Sequence, residues 1–171
     1  MNSVSWRFAV YWVAALALAV PAAARAQMPE IPLTVAGHKL TVEVAGTEAT
    51  RTQGLMHRRI LPDSRGMLFV FREAAHHAMW MMNTYIPLSV AFIDERGVII
   101  NIEDMKPHTQ DTHPAAKPAK YALETNQGWF AKRGIKPGAK IEGLERAPRR
   151  EPPVPAPPPS KLRTAKRRNS Y

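Results

Sequence analysis

The chain has 171 residues, a length typical of a single domain. It contains no cysteine, which excludes disulfides, cysteine-ligated metal sites and thiol catalysis. The formal net charge of +10 resides mainly in residues 148–171, so the nearly balanced remainder predicts no specific nucleic-acid-binding face.

The first residues have the three-part pattern of a secretory signal. Arg7 precedes an apolar stretch over residues 8–20, and Ala24-Arg25-Ala26 matches the A-x-A cleavage pattern. The apolar stretch is too short to span a membrane, which takes about 20 residues. We therefore predict a signal peptide over residues 1–26 and a periplasmic or secreted product that has no transmembrane segment after processing.

Short strands and one helix are predicted at the start of the mature chain. Residues 33–35 and 40–44 alternate apolar and polar side chains around a turn sequence, which is typical of a hairpin. Thr47 is a suitable N-cap for a short helix over residues 48–53, and Gly54 is suited to end it.

Four apolar segments follow in quick succession. They cover residues 66–71, 79–82, 89–94 and 98–102. A tight-turn sequence at 94–97 predicts that the last two segments form a hairpin. The remaining elements are a strand at 121–125, a helical turn at 129–133 and a closing strand at 140–144. This order predicts a mainly β fold, with one small domain over residues 27–147. We expect a partly closed mixed or antiparallel sheet or barrel with one or two short helices.

The last segment, residues 148–171, is rich in proline and in basic residues. Its larger aliphatic residues are Val154 and Leu162, so it cannot bury enough apolar surface to offset the entropy of ordering. We therefore predict a disordered tail. Its positive charge suits an anionic surface of the cell envelope, although a merely solubilising terminus has the same composition.

Four residues form the set that we expect to bind a ligand: Trp80, Asn83, Thr84 and Glu124. An aromatic face with amide, hydroxyl and carboxylate partners is how proteins hold a sugar or another small polar ligand. The alternative is structural. Asn83 and Thr84 would then shape the turn before Pro87, and Glu124 would be a surface charge at a strand end.

A soft-metal site is a second hypothesis. His76, His77, Met79 and Met81 offer the imidazole and thioether ligands that suit Cu(I). On a strand, Met79 and Met81 would project to the same face. The alternative is that the methionines fill the core and the two histidines lie in a surface loop.

A hydrolase of the cell envelope is the third hypothesis. It would use Glu124 together with Glu103 or Asp104, because a glycosidase needs two carboxyl groups across a cleft. The chain has no Gly-x-Ser-x-Gly, His-Glu-x-x-His or phosphate-loop motif. We therefore assign no catalytic residues from the sequence.

An ordered series of sequence blocks runs through the central part of the chain. The blocks are Gly54-Leu55-Met56, residues 66–71, residues 80–84 with Pro87-Leu88 and Phe92-Ile93, and Leu123-Glu124 with Gly128, Gly134 and Gly138. Over residues 38–145 this series resembles the bacterial and archaeal family called domain of unknown function 192. The resemblance implies a small, mostly β domain, often exported, with no established enzymatic activity.

Two positions depart from the pattern of that family. The family usually has Lys where this chain has Met82, and Asp where it has Ser89. A charged pair is therefore absent, which would alter any site that used the pair. We expect an exported accessory or small-ligand-binding module rather than an enzyme, with no cofactor.

Overall fold

The computed structural model of the protein describes residues 28–148. The predicted signal peptide and residues 149–171 of the predicted tail lie outside the described residues. The elements, in chain order, are β1 (Glu30–Val35), β2 (His38–Ala45), α1 (Glu48–Gln53), β3 (Arg65–Ala75), β4 (Ala78–Met79), β5 (Leu88–Ile93), β6 (Ile99–Met105), β7 (His113–Pro114), β8 (Ala119–Asn126), α2 (Trp129–Lys132), β9 (Ile141–Glu142) and a 3-10 turn (Leu144–Arg146). No helix among residues 28–148 has the length and apolar composition to cross a membrane.

Seven of the strands form one curled, mixed sheet. Their order across the sheet is β6-β5-β8-β3-β2-β1-β9, and β4 pairs separately with β7. The pairing of β2 with β3 is parallel, whereas the other neighbours run antiparallel. The segment before β9 also bonds to β6, since Ile99 N donates to the Ala139 carbonyl at 2.9 Å. The sheet therefore curls into a half-barrel, and the predicted fold class is confirmed.

The short helix α1 begins and ends where the sequence predicts. The side chain of Thr47 accepts a hydrogen bond from Thr50 N, and Gly54 ends the helix with a φ of 47°. None of its residues is fully buried. Arg51 attaches the helix to the sheet, because its Nη1 donates to the carbonyls of Gly46 (2.7 Å) and Val70 (3.0 Å).

The predicted hairpin of β5 and β6 is confirmed, but the segment 79–82 differs from the prediction. Strand β4 ends at Met79. The chain then turns, with Thr84 N bonded to the Met81 carbonyl at 3.1 Å and Asn83 in the left-handed region at φ 57°. Met81 is completely buried in the core below this turn. The segment 79–82 is therefore not an extended strand: the chain turns after Met79, and the side chain of Met81 is buried in the core.

Both faces of the central strands are covered by apolar side chains. The first core contains Leu68, Ala91 and Leu123 together with β1, β2 and α2 residues. The second core contains Phe69, Phe92 and Ala122, and the turn residues Met81 and Ile86 cover it. Because side chains alternate along a strand, Glu124 lies on the same side of β8 as Ala122. Glu124 therefore faces the second core.

Gly66 allows β3 and β8 to approach each other. A Cβ atom at Gly66 would lie 2.6 Å from the backbone carbonyl oxygen of Glu124, a distance that requires the strands to move apart. A Cβ atom at Gly46 would meet nothing within 4 Å.

We predict that Gly66→Ala lowers the free energy of unfolding by roughly 1–3 kcal/mol, because the added methyl group overpacks a backbone contact. Gly46→Ala is the matched control and should change the same quantity by less than about 0.5 kcal/mol. Urea unfolding of both variants is the measurement. Equal effects of the two substitutions would contradict the close approach at Gly66.

Candidate functional site

A cavity of about 440 Å³ opens at the edge of the second core. It is lined by residues 51–56 at the end of α1 and the turn that follows, by Phe69 and residues 71–73 of β3, by residues 77–80, by Thr84 and by Glu124. Three of the four residues predicted to bind a ligand, Trp80, Thr84 and Glu124, therefore line the same cavity.

Glu124 is set into the apolar centre of the sheet. In the strand register it lies opposite Met67 of β3 on one side and Val90 of β5 on the other. Met67 and Val90 are completely buried, and Glu124 is only 3% exposed. The alternative that Glu124 is a surface charge at a strand end is therefore wrong.

The carboxyl group of Glu124 has no hydrogen-bond partner and no ion pair among residues 28–148. Yet no side-chain oxygen in that part of the chain is both sealed from solvent and unpartnered. Because Glu124 lines the cavity, its carboxyl group faces that space. Burial disfavours the charged form and raises the pKa of Glu124 to about 8.

Trp80 lies at the mouth of the cavity and is 49% exposed. The residues on either side of it fix its place in the chain, since Met79 ends β4 and Met81 is buried in the second core. An aromatic ring held in this way, but left half-exposed, is available for contact with a ligand.

Thr84 and Asn83 have different environments. Thr84 is buried and lines the cavity, and its backbone carbonyl accepts a hydrogen bond from His108 N at 3.2 Å. Asn83 is exposed, has a positive φ, and its carbonyl accepts a hydrogen bond from His57 N at 2.9 Å. Asn83 does not line the cavity, and its contacts are those of a turn residue.

The four residues of the soft-metal hypothesis do not meet at one point. His77 and Met79 line the cavity, and His77 stacks on Phe71 with ring centroids 3.7 Å apart. His76 lies outside it, with Nδ1 3.2 Å from the Ala115 carbonyl, and Met81 belongs to the second core. No group of three or more His, Asp or Glu side chains is arranged to hold a metal in the part of the chain that the structure describes.

The carboxylates of the hydrolase hypothesis lie at different positions relative to Glu124. Glu103 lies across Val90 from Glu124, two strands away, and is 3.0 Å from Nδ1 of His113. Asp104 is the next residue along β6 and so projects to the other face, where it accepts a hydrogen bond from Ser89. Neither residue lines the cavity with Glu124.

The residues that α1 and β3 contribute to the cavity are not among those predicted from the sequence. Arg51, Phe69 and Phe71 line the cavity with the predicted set. The available signal was the family resemblance, because the block 54–56 directly follows α1 and the block 66–71 contains both phenylalanines.

The two departures from the family pattern lie outside the cavity. Ser89 is buried on the face of β5 opposite Val90, where it donates to Asp104 and accepts from Gly128 N at 2.8 Å. Met82 is half-buried in the turn after Trp80 and does not line the cavity. The absent charged pair therefore leaves the lining of the cavity unchanged.

A second cavity of similar volume, about 460 Å³, lies among the turn 95–97 and residues 140–146. It contains none of the residues that the sequence predicts for a site. Its charged side chains carry both signs and are exposed, whereas the first cavity holds a buried acid without a partner. The chemistry therefore singles out the first cavity.

Comparisons with known proteins agree with this description. Two solved structures are each 38% identical to the chain. One is a provisionally designated transcription regulator from Sinorhizobium meliloti 1021, with a TM-score of 0.67 over 69% of this chain and 96% of that protein. The other is a protein of unknown function from Novosphingobium aromaticivorans DSM 12444, with a TM-score of 0.65 over 67% of this chain and 86% of that protein. No curated protein shows significant similarity to the chain. The model of the family DUF192, described as "Uncharacterized ACR", matches residues 31–143, and the chain belongs to this family.

Proposed function

We propose that the protein is an exported accessory module that binds a small polar ligand in the cavity above Glu124. The observation that carries this proposal is the carboxyl group of Glu124, which is almost fully buried, lacks a partner and faces an open space. The periplasm is its expected location, and the basic tail is expected to contact anionic surfaces there.

A carboxyl group that the protein leaves without a partner takes its hydrogen bonds from molecules in the cavity, because leaving it unsatisfied would cost about 1–3 kcal/mol. Proteins retain such groups where a ligand or a reaction uses them. A ligand in the cavity would supply the partner that residues 28–148 do not provide for Glu124.

The state of Glu124 determines what it offers to a ligand. With a pKa of about 8, the carboxyl group is mainly neutral at pH 7 and can donate a hydrogen bond through its O–H. Thr84 adds a hydroxyl group, and Trp80 adds an aromatic face at the mouth. These groups suit a compact molecule that has both polar and apolar parts.

Binding is better supported than hydrolysis, because neither Glu103 nor Asp104 lines the cavity. Among residues 28–148 the other carboxylate that lines it is Glu73, which is exposed. The designation of the Sinorhizobium protein suggests a regulatory role for that protein. For this chain, the nearly balanced charge of the central part gives little electrostatic attraction to nucleic acid.

We predict that Trp80→Ala weakens ligand binding at least fivefold without unfolding the domain, because the ring is half-exposed and aromatic contacts are worth roughly 1 kcal/mol. The measurement is a screen of monosaccharides and small polar fragments by two-dimensional NMR. Bound molecules should shift the indole N–H signal of Trp80 in the unaltered protein.

Trp129→Phe is the matched control for Trp80→Ala. Trp129 is buried, and its Nε1 donates to the Asp63 carbonyl at 2.9 Å. This variant should lose stability but keep its ligand affinity. If Trp80→Ala unfolds the protein, or if no molecule in the screen perturbs residues of the cavity, the binding proposal fails.

We also predict that stability depends on pH through Glu124. The native carboxyl group keeps its proton up to a pKa of about 8, whereas the unfolded one releases it near 4.5. Between these values the native state binds more protons, so the free energy of unfolding falls as pH rises, by roughly 3 kcal/mol between pH 5 and 8. The contribution of the protonated Glu124 to the free energy of unfolding is fully present below pH 4.5 and is lost as pH rises through about 8.

Urea unfolding of the unaltered protein and of Glu124→Gln at pH 5 and pH 8 measures this dependence. The variant lacks the titrating group of Glu124 but keeps all the histidines. The difference in the free energy of unfolding between the two proteins therefore reports the titration of Glu124 alone. The variant should gain stability relative to the unaltered protein as pH rises. A constant difference between them would show that Glu124 is not buried as described.

A further inference from the structure

Arg51 is a fixed cation at the cavity. Its Nη1 donates to the carbonyls of Gly46 and Val70, which orients the guanidinium group. Its other nitrogens, Nη2 and Nε, have no partner among the described residues, and the residue lines the cavity. A held guanidinium group with unused donors is suited to a carboxylate, which it can bind through two parallel hydrogen bonds.

The charges around the cavity favour the same kind of ligand. Besides Glu124, the titratable or charged residues that line it are Arg51 from α1, Arg72 and Glu73 from β3, and His77 from the segment before β4. When Glu124 is neutral, the lining carries two positive charges, from Arg51 and Arg72, and one negative charge, from Glu73. A cationic ligand would meet this excess of positive charge, whereas an anionic one would be attracted by it.

We infer that the cavity binds a small organic acid, whose carboxylate pairs with Arg51 and whose inner polar group meets Glu124. This inference rests on the proposed function and adds the class of the ligand to it. Phe69, Met79 and Trp80 would contact the hydrocarbon part of the acid. The volume of about 440 Å³ accommodates a molecule of this kind.

Ionisation of Glu124 would work against the acid. An ionised Glu124 can no longer donate a hydrogen bond, and it places a second negative charge in the space that the ligand occupies. Affinity for an acid should therefore be lost as pH rises past the point at which Glu124 ionises. A cationic ligand would show the opposite dependence, because it would gain a counterion.

The test compares three probes that share one skeleton with an inner amide carbonyl, which can accept a hydrogen bond from Glu124: N-benzoylglycine, N-(2-hydroxyethyl)benzamide and N-(2-aminoethyl)benzamide. Isothermal titration calorimetry with the full chain at pH 7 and pH 9 gives their affinities. We expect the acid to bind at least tenfold more tightly than the alcohol at pH 7, and the amine to bind most weakly. The affinity of the acid should fall at least tenfold at pH 9.

Two variants assign these effects to residues. Arg51→Lys keeps the charge but loses the fork of N–H donors, and should bind the acid at least tenfold more weakly. Arg58→Lys makes the same change outside the cavity, at a residue that is paired with Glu43, and should differ from the unaltered protein by less than threefold. Glu124→Gln removes the titrating group, so its affinities at pH 7 and pH 9 should agree within twofold.

The inference is overturned if the alcohol or the amine binds as tightly as the acid, if none of the three probes binds, or if Arg51→Lys and Arg58→Lys have equal effects. It is also overturned if Glu124→Gln retains the loss at pH 9. The comparison of the probes uses the unaltered protein and decides the matter even if Arg51→Lys fails to fold. If the organic-acid inference fails but the NMR screen finds another molecule in the cavity, the proposed ligand-binding function is still supported.

Discussion

The burial of one carboxyl group at the centre of the sheet is the constraint on which the site depends. Glu124 lies on β8 between two strands that present Met67 and Val90 to it, and it gains no compensating hydrogen bond from residues 28–148. The low polarity of its surroundings raises its pKa to about 8. A residue that would otherwise be a surface anion thus becomes a neutral donor inside a cavity.

The rest of the fold forms the cavity that this group faces. The sheet forms the floor of the cavity, and Gly66 lets β3 approach the backbone of β8 closely at Glu124. The end of α1 forms one wall, attached to the sheet through Arg51. The turn that carries Trp80 forms the other wall, held by the burial of Met81. Segments that are distant in the sequence therefore line one cavity.

Local features of the fold could be predicted from the sequence, because they depend on neighbouring residues. The cap at Thr47, the helix end at Gly54 and the hairpin of β5 and β6 are of this kind. The burial of Glu124 could not, since it follows from the pairing of β8 with both β3 and β5. The separate positions of Met79 and Met81 likewise depend on a turn whose anchor is a non-local core.

Glu124 is neutral at pH 7 because the sheet buries it without a partner among residues 28–148. The most direct measurement is an NMR titration that follows the chemical shift of its side-chain carboxyl carbon in the ligand-free protein. We expect a midpoint near pH 8. A midpoint near 4.5, the value for an unperturbed glutamate, would contradict it.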